Sequence, residues 1–138
     1  MAQEKSFENK LKRYLESLGC YNFGTPKHQM TKQIIGYYEK RWGGGQFSKS
    51  GLPDIHMVLH NCSVELELKA PNGVPSAIQL KNLSMITEAG CLGYVLVEKP
   101  TTVIKIKNYI LEHYPEYSNV EVIDFENLKV IIKNILTA

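Results

Sequence analysis

The chain has no long apolar run and its first residues are polar, so neither a membrane-spanning helix nor a signal peptide is expected. Cysteine is scarce. Cys20, Cys62 and Cys91 are odd in number, lie far apart and form no CxxC pair. This argues against a structural zinc site or a disulfide framework, and a reducing, cytoplasmic setting is expected. Charge of one sign is also lacking: the formal net charge of +2 is too small to demand a nucleic-acid partner by itself, so the distribution of charge matters more. No repeat or low-complexity tract occurs. No phosphate-cradling glycine fingerprint or nucleophile triad is present, which argues against a metabolic enzyme. What remains is a chain of 138 residues with ordinary hydrophobic content, enough for a single domain over 1–138 with its own core.

The most informative stretch runs from Gly51 to Gln79. Residues 54–59 and 63–70 have strand composition and are joined by a short turn. Around Leu66 the pattern alternates. Glu65, Glu67 and Lys69 share one face, and Val64, Leu66 and Leu68 share the other. Three charged residues on one face of a strand rich in Val and Leu mark that face as a site. With Asn61-Cys62 as a two-residue turn, Asp54 falls opposite Lys69 and His56 opposite Glu67. Asp54 and Glu67 are then diagonal neighbours, roughly 7 Å apart at the backbone, and both reach one hard cation. An odd-numbered turn without a bulge would put them on opposite faces.

The rest of the chain reads as alternating elements. Residues 5–18 form an amphipathic helix through Phe7, Leu11, Tyr14, Leu15 and Leu18, stopped by Gly19. Glu8 lies at the edge of its apolar stripe, either as a first-turn acid favoured by the helix dipole or as a site residue. Glu16 lies on the far side, in solvent. Residues 20–23 make a short strand, 25–33 a loop or irregular helical turn, and 34–42 another strand. Gly43-Gly44-Gly45 and Gly51 allow close backbone approach to a ligand. Lys40, Arg41, Trp42 and Lys49 around them suit a phosphodiester backbone, or are ordinary solvated charges. Ser76 caps a helix to about Ala89, with Gln79 completing a capping box. A strand over 93–98 then favours a parallel crossover. Thr101 or Thr102 caps a helix through His113, 119–125 is a strand and 126–136 a closing helix. No chemistry is assigned to this tail.

Glu8, Pro53-Asp54, Glu67-Leu68-Lys69 and Gln79, in this order, resemble the PD-(D/E)XK nuclease superfamily. More narrowly they resemble its VRR-NUC (virus-type replication-repair nuclease) domain. Phe7-Glu8 opens a helix ending in Leu18-Gly19. The run from Tyr38 to Gly44 precedes Gly51-Leu52-Pro53-Asp54-Ile55. Glu67 to Gly73 continues to Gln79, with Gly90 and the strand of Tyr94 to Val97 after it. The likeness covers about 5–98. It departs from the pattern in an extra segment near 25–33 and in 99–138, a C-terminal strand and helix extension.

The resemblance implies an α/β, restriction-endonuclease-like core: a central mixed β-sheet flanked by helices. It also implies metal-dependent hydrolysis of DNA phosphodiesters. Carried over by position, Asp54, Glu67 and the Leu68 carbonyl would ligate Mg²⁺ or Mn²⁺, and Glu8 would hold a metal-bound water or a second ion. Lys69 would orient the attacking water and stabilise charge on the phosphate; Gln79 would steady Lys69 or the phosphate. The family further implies DNA partners, a likeness to Holliday-junction resolvases acting as homodimers on branched DNA, and frequent association with phage. Glu65 competes with Glu67 as ligand, although the spacing to Lys69 favours Glu67. His56 shares the metal face as a packed or substrate-facing residue, and Lys69 as a plain ion-pair partner of Asp54 is the bland reading of that face. A nuclease-fold module that binds DNA or protein without catalysis is the alternative function.

Overall fold

The stripe of Phe7, Leu11 and Leu15 does form a helix. The computed structural model, which describes residues 2–41 and 51–138, places it at Ala2–Leu18 (α1). Gly19 ends it at φ 98°, where an added Cβ would stand 2.1 Å from the Gln33 carbonyl oxygen, so only glycine fits. Strand β1 (Cys20–Asn22), a single 3-10 turn at Lys27–Gln29 and strand β2 (Gly36–Lys40) follow. The strand expected over 34–42 starts late because Ile35 is held elsewhere. Its amide donates to the Gly19 carbonyl and its carbonyl accepts from the His60 amide, each at 3.0 Å.

Strands β3 (Ile55–Leu59) and β4 (Cys62–Leu68) make the central hairpin. Helix α2 (Ala77–Glu88), strand β5 (Leu92–Val97), helix α3 (Pro100–His113), strand β6 (Glu121–Asp124) and helix α4 (Phe125–Thr137) complete the chain. The capping box at Ser76 and Gln79 is formed as expected. The cap of α3 is not a threonine. Lys99 holds that position and Pro100 opens the helix, where its missing N–H costs nothing.

The six strands lie side by side in chain order. β1 and β2 are parallel, β2, β3 and β4 antiparallel, and β4, β5 and β6 parallel, so the sheet is mixed and the fold is α/β. The strand–helix–strand order around α2 is the parallel crossover read from the sequence.

Each sheet face carries its own core. On one, Phe7, Leu11 and Leu15 of α1 and Leu128 and Ile132 of α4 pack over Tyr38, Met57, Leu66 and Leu96. On the other, Leu80 and Leu83 of α2 and Ile106 of α3 pack over Val95, Val97 and Val122. The tail without assigned chemistry contributes to both cores. Phe125 sits edge-on to Phe7 and Tyr14, with ring centroids 5.8 and 5.6 Å away, and closes the first core. Strand β4 turns its apolar side chains to the first core. Leu66 and Leu68 point into the first, which leaves Glu65 and Glu67, both buried, on the α2 side. Among the described residues no helix is long and apolar enough to cross a membrane.

Candidate functional site

The turn of the central hairpin decides which carboxylates meet. It is His60-Asn61, not Asn61-Cys62. Cys62 pairs with Leu59, and His60 takes φ 53° at the first turn position. The hydrogen bond from the His60 amide to Ile35 holds it there. Both turns have two residues, so the faces are those expected, but the register moves by two. His56 lies opposite Glu65, not Glu67, and Ile55 opposite Leu66. Continued one step, that register sets Asp54 across from Glu67 instead of Lys69. Directly opposed residues have Cβ atoms about 5 Å apart, closer than the diagonal spacing.

The side chains follow from this placement. The Asp54 Oδ2 accepts from the Leu68 amide at 2.8 Å, which ties the lead-in of β3 to the carboxyl end of β4. The Glu67 Oε2 accepts from Gln79 Nε2 at 3.0 Å and stands 3.4 Å from Lys69 Nζ. Among the described residues no donor reaches the buried Glu67 Oε1, and a proton on this carboxyl is shared with Asp54. Burial, and then the adjacent Asp54 charge, push the Glu67 carboxyl up to about 8 against the pull of Lys69. Gln79 serves two ends at once. Its Oε1 accepts from the Ser76 amide at 2.9 Å to close the capping box, and its Nε2 holds Glu67. It steadies Glu67, whereas the resemblance gave it Lys69 or the phosphate as its partner.

Other expected site residues go elsewhere. Glu8 is buried on α1 with Lys5, Lys12 and Lys40 around it, at 3.1, 3.0 and 2.5 Å. Burial would raise its pKa, but the three ammonium groups hold it down at about 2. Glu16, read as solvated, accepts from the Tyr38 hydroxyl at 2.8 Å. Lys40 and Arg41, read as phosphate contacts, are engaged within the fold. Arg41 clamps the entry to Asp54: its amide donates to the Asp54 carbonyl at 2.7 Å, and its guanidinium to the Pro53 carbonyl at 3.1 Å and to Glu65 at 2.5 Å. Glu65 also pairs with His56, so this competing ligand is already occupied by two cationic or polar partners. The sequence reading missed the Arg41–Glu65 pair. Its signal was an internal carboxylate on a buried strand, which needs a partner. Trp42 and Lys49 lie outside the described residues.

Comparison with models of known families, with curated proteins and with solved structures returned no match.

Asp54, Glu67 and the carbonyl at the end of β4 are hard oxygen donors of the kind that Mg²⁺ or Mn²⁺ takes, and the Glu67 Oε1, which no donor among the described residues reaches, lacks the positive partner that a cation would be. Among the described residues no three or more His, Cys, Asp or Glu side chains gather to hold a metal. Two carboxylates are nonetheless what Mg²⁺ sites often use, since the ion keeps several waters.

Glu8 gives a separate test. Its folded pKa of about 2 lies below the ordinary 4.5. Its ion pairs therefore contribute stability above the unfolded value, and that stability is lost as pH falls from about 4.5 to about 2. Chemical denaturation across that window should show wild-type stability falling by a few kcal/mol. Glu8→Gln should be less stable at neutral pH and should lack the contribution of this group to the fall. Matching slopes for the two proteins would show that the lysines do not act on Glu8.

Proposed function

We propose that this chain is a divalent-metal-dependent DNA endonuclease of the VRR-NUC type, built on a restriction-endonuclease-like core. One observation carries the reading. Glu67 lies buried beside Asp54 with an oxygen that no donor among the described residues reaches, and an ammonium group of the same strand ribbon stands 3.4 Å from its other oxygen. Asp54, Glu67 and the Leu68 carbonyl would hold Mg²⁺ or Mn²⁺. Such an ion, when bound, supplies charge neutralisation at the phosphate and a water of lowered pKa.

The protein groups do the positioning. The Leu68 amide fixes one Asp54 oxygen, Gln79 fixes one Glu67 oxygen, and Arg41 holds the backbone carbonyls of Pro53 and Asp54 on either side of the Asp54 Cα. Lys69 then orients the attacking water and meets negative charge developing on the phosphate oxygens. Glu8 is left out of the metal site, because its charge is already answered by three lysines. The site lies at the carboxyl end of β4, one of the parallel strands, where α/β sheets commonly place ligands. Branched DNA is the substrate this reading favours. A homodimer would supply the two sites that a two-fold junction needs.

The test is a cleavage panel of junction, flap, single-strand and duplex DNA with Mg²⁺ or Mn²⁺, joined to calorimetric titration of Mn²⁺. The expected result is metal-dependent nicking, strongest on a branched substrate, with Mn²⁺ binding that Asp54→Ala abolishes. No cleavage together with no Asp54-dependent Mn²⁺ binding would replace the enzyme with a non-catalytic nuclease-fold module.

A further inference from the structure

The surface beside Lys69 continues past the carboxylate pair. A hollow of about 170 Å³ opens at the end of the sheet, between the first turns of α1 and the chain leaving β4 and β5. Ser6 and Phe7 line it from α1, Lys69 and Pro71 from the exit of β4, and Glu98 and Lys99 from the exit of β5. It is smaller than a pocket for a drug-sized ligand and admits a group the size of a phosphate. Phe7 is buried and forms a floor, whereas Ser6 is exposed. Lys105 Nζ donates to the Pro71 carbonyl at 2.8 Å and fixes that wall.

Two lysines share the hollow. Lys69 adjoins Glu67 at 3.4 Å. Lys99 is exposed, and among the described residues it makes no hydrogen bond or ion pair. Its backbone is still extended, at φ −122° and ψ 150°, before α3 begins. The Lys69 amide donates to the Leu96 carbonyl at 3.1 Å, so β4 and β5 keep their parallel register as they leave the sheet. In that register Lys99 stands two residues further along and one strand across from Lys69, roughly 8 Å away at the backbone. Glu98 is the acid of the lining, and Lys10 Nζ answers it at 2.9 Å. Lys10, Lys69 and Lys99 thus stand against Glu67 and Glu98, and the excess positive charge is that of Lys99.

We propose that this hollow seats the DNA phosphate next to the one attacked, with Lys99 as its cation and the Ser6 hydroxyl as a donor from α1. The inference rests on the hydrolytic reading, which places the attacked phosphate at Lys69. Contacts to phosphates fix the position and orientation of a duplex without reading its sequence. A strand held at one phosphate pivots about it. A second contact on the neighbouring phosphate removes that freedom and presents the reacting group in one orientation. A lysine suits the task, since its ammonium is a point charge on a flexible stem and needs no forked geometry. Lys99 does not touch the reacting atoms. It binds and orients the strand, so its loss falls on affinity and not on the chemical step.

The test is fluorescence anisotropy with a short labelled DNA duplex in EDTA, followed by cleavage kinetics in Mg²⁺. Lys99→Gln should lower the slope of log affinity against log salt by about 0.9, one phosphate contact on a duplex. Its shortfall in affinity should therefore shrink about eightfold over a tenfold rise in salt. KM for DNA should rise, while the rate at saturating DNA and the Mn²⁺ affinity stay within about twofold of the wild type. Lys107→Gln, at an exposed position of α3 outside the hollow, should match the wild type throughout. The proposal is overturned if the slope of Lys99→Gln is unchanged, if Lys107→Gln loses as much, or if the wild type does not bind the duplex. It is also overturned if the wild type binds inorganic phosphate as tightly as the duplex, which would make the hollow a site for free anions. Failure of the hydrolytic reading looks different: cleavage and Asp54-dependent Mn²⁺ binding are absent, while Lys99→Gln still lowers the slope and the hollow stands as a DNA-phosphate site.

Discussion

Asp54→Ala should reduce metal-dependent DNA cleavage by about a thousandfold or more, the scale of losing a group that acts on the reacting phosphate. Asp54 contributes in two ways. It would supply one of the hard oxygen ligands of the proposed metal site, and it accepts from the Leu68 amide, which sets the end of β4 beside it. Lys69→Ala should lose activity on a similar scale by a different route. Its ammonium adjoins Glu67 but is not a ligand, so Mn²⁺ affinity should stay within a few-fold of the wild type while the rate falls. Single-turnover cleavage and Mn²⁺ titration on both variants separate the two roles. Asp54→Ala that cuts at the wild-type rate would remove the proposed site altogether. Lys69→Ala that loses Mn²⁺ binding as fully as Asp54→Ala would make Lys69 a structural residue of the metal pocket.

The reasons for these expectations differ in how visible they are in the chain itself. The alternation Val64, Glu65, Leu66, Glu67, Leu68 declares a strand with two charged positions on one face, and the structure keeps that division. What it could not declare was the partner of each. That depends on the turn, and the turn is held by His60 at positive φ with its amide bonded to Ile35, a contact between residues distant in sequence. No glycine marks the position, so the local sequence points to a turn one residue later than the one formed. Gln79 shows the same limit. Its bond to the Ser76 amide is local and legible as a capping box, whereas its bond to Glu67 depends on α2 packing over β4. Glu8 is a mixed case. Lys5 and Lys12 are its helical neighbours by spacing, but Lys40 arrives from β2 and turns a helix-surface acid into a buried one. The restriction-endonuclease likeness likewise rests on the ordered residues. The α/β sheet places them without deciding their chemistry.

The second large effect is a fall in stability as pH rises, caused by Glu67. In the folded protein without metal its carboxyl is held at about 8, well above the ordinary 4.5, first by burial and then by Asp54. The folded state therefore keeps a proton that the unfolded chain releases between those values. The sign follows directly. The stability linked to this proton is fully present below the unfolded pKa and is lost as pH rises through the folded one. Each unit of pKa difference is worth about 1.4 kcal/mol, so the total loss is on the order of several kcal/mol. Urea unfolding in EDTA, followed from about pH 5 to about pH 9, should show the decline. Glu67→Gln keeps the shape and the acceptor for Gln79 but carries no charge, so it should flatten the curve and exceed the wild type at the alkaline end. Mn²⁺ should act in the opposite sense on the wild type alone. By binding the ionised pair it would release the proton and raise stability most at high pH, where no proton has to leave first. Equal alkaline stability of wild type and Glu67→Gln in EDTA would mean that Glu67 is not strained by its surroundings. The argument that its oxygen without a donor awaits a cation would fail with it.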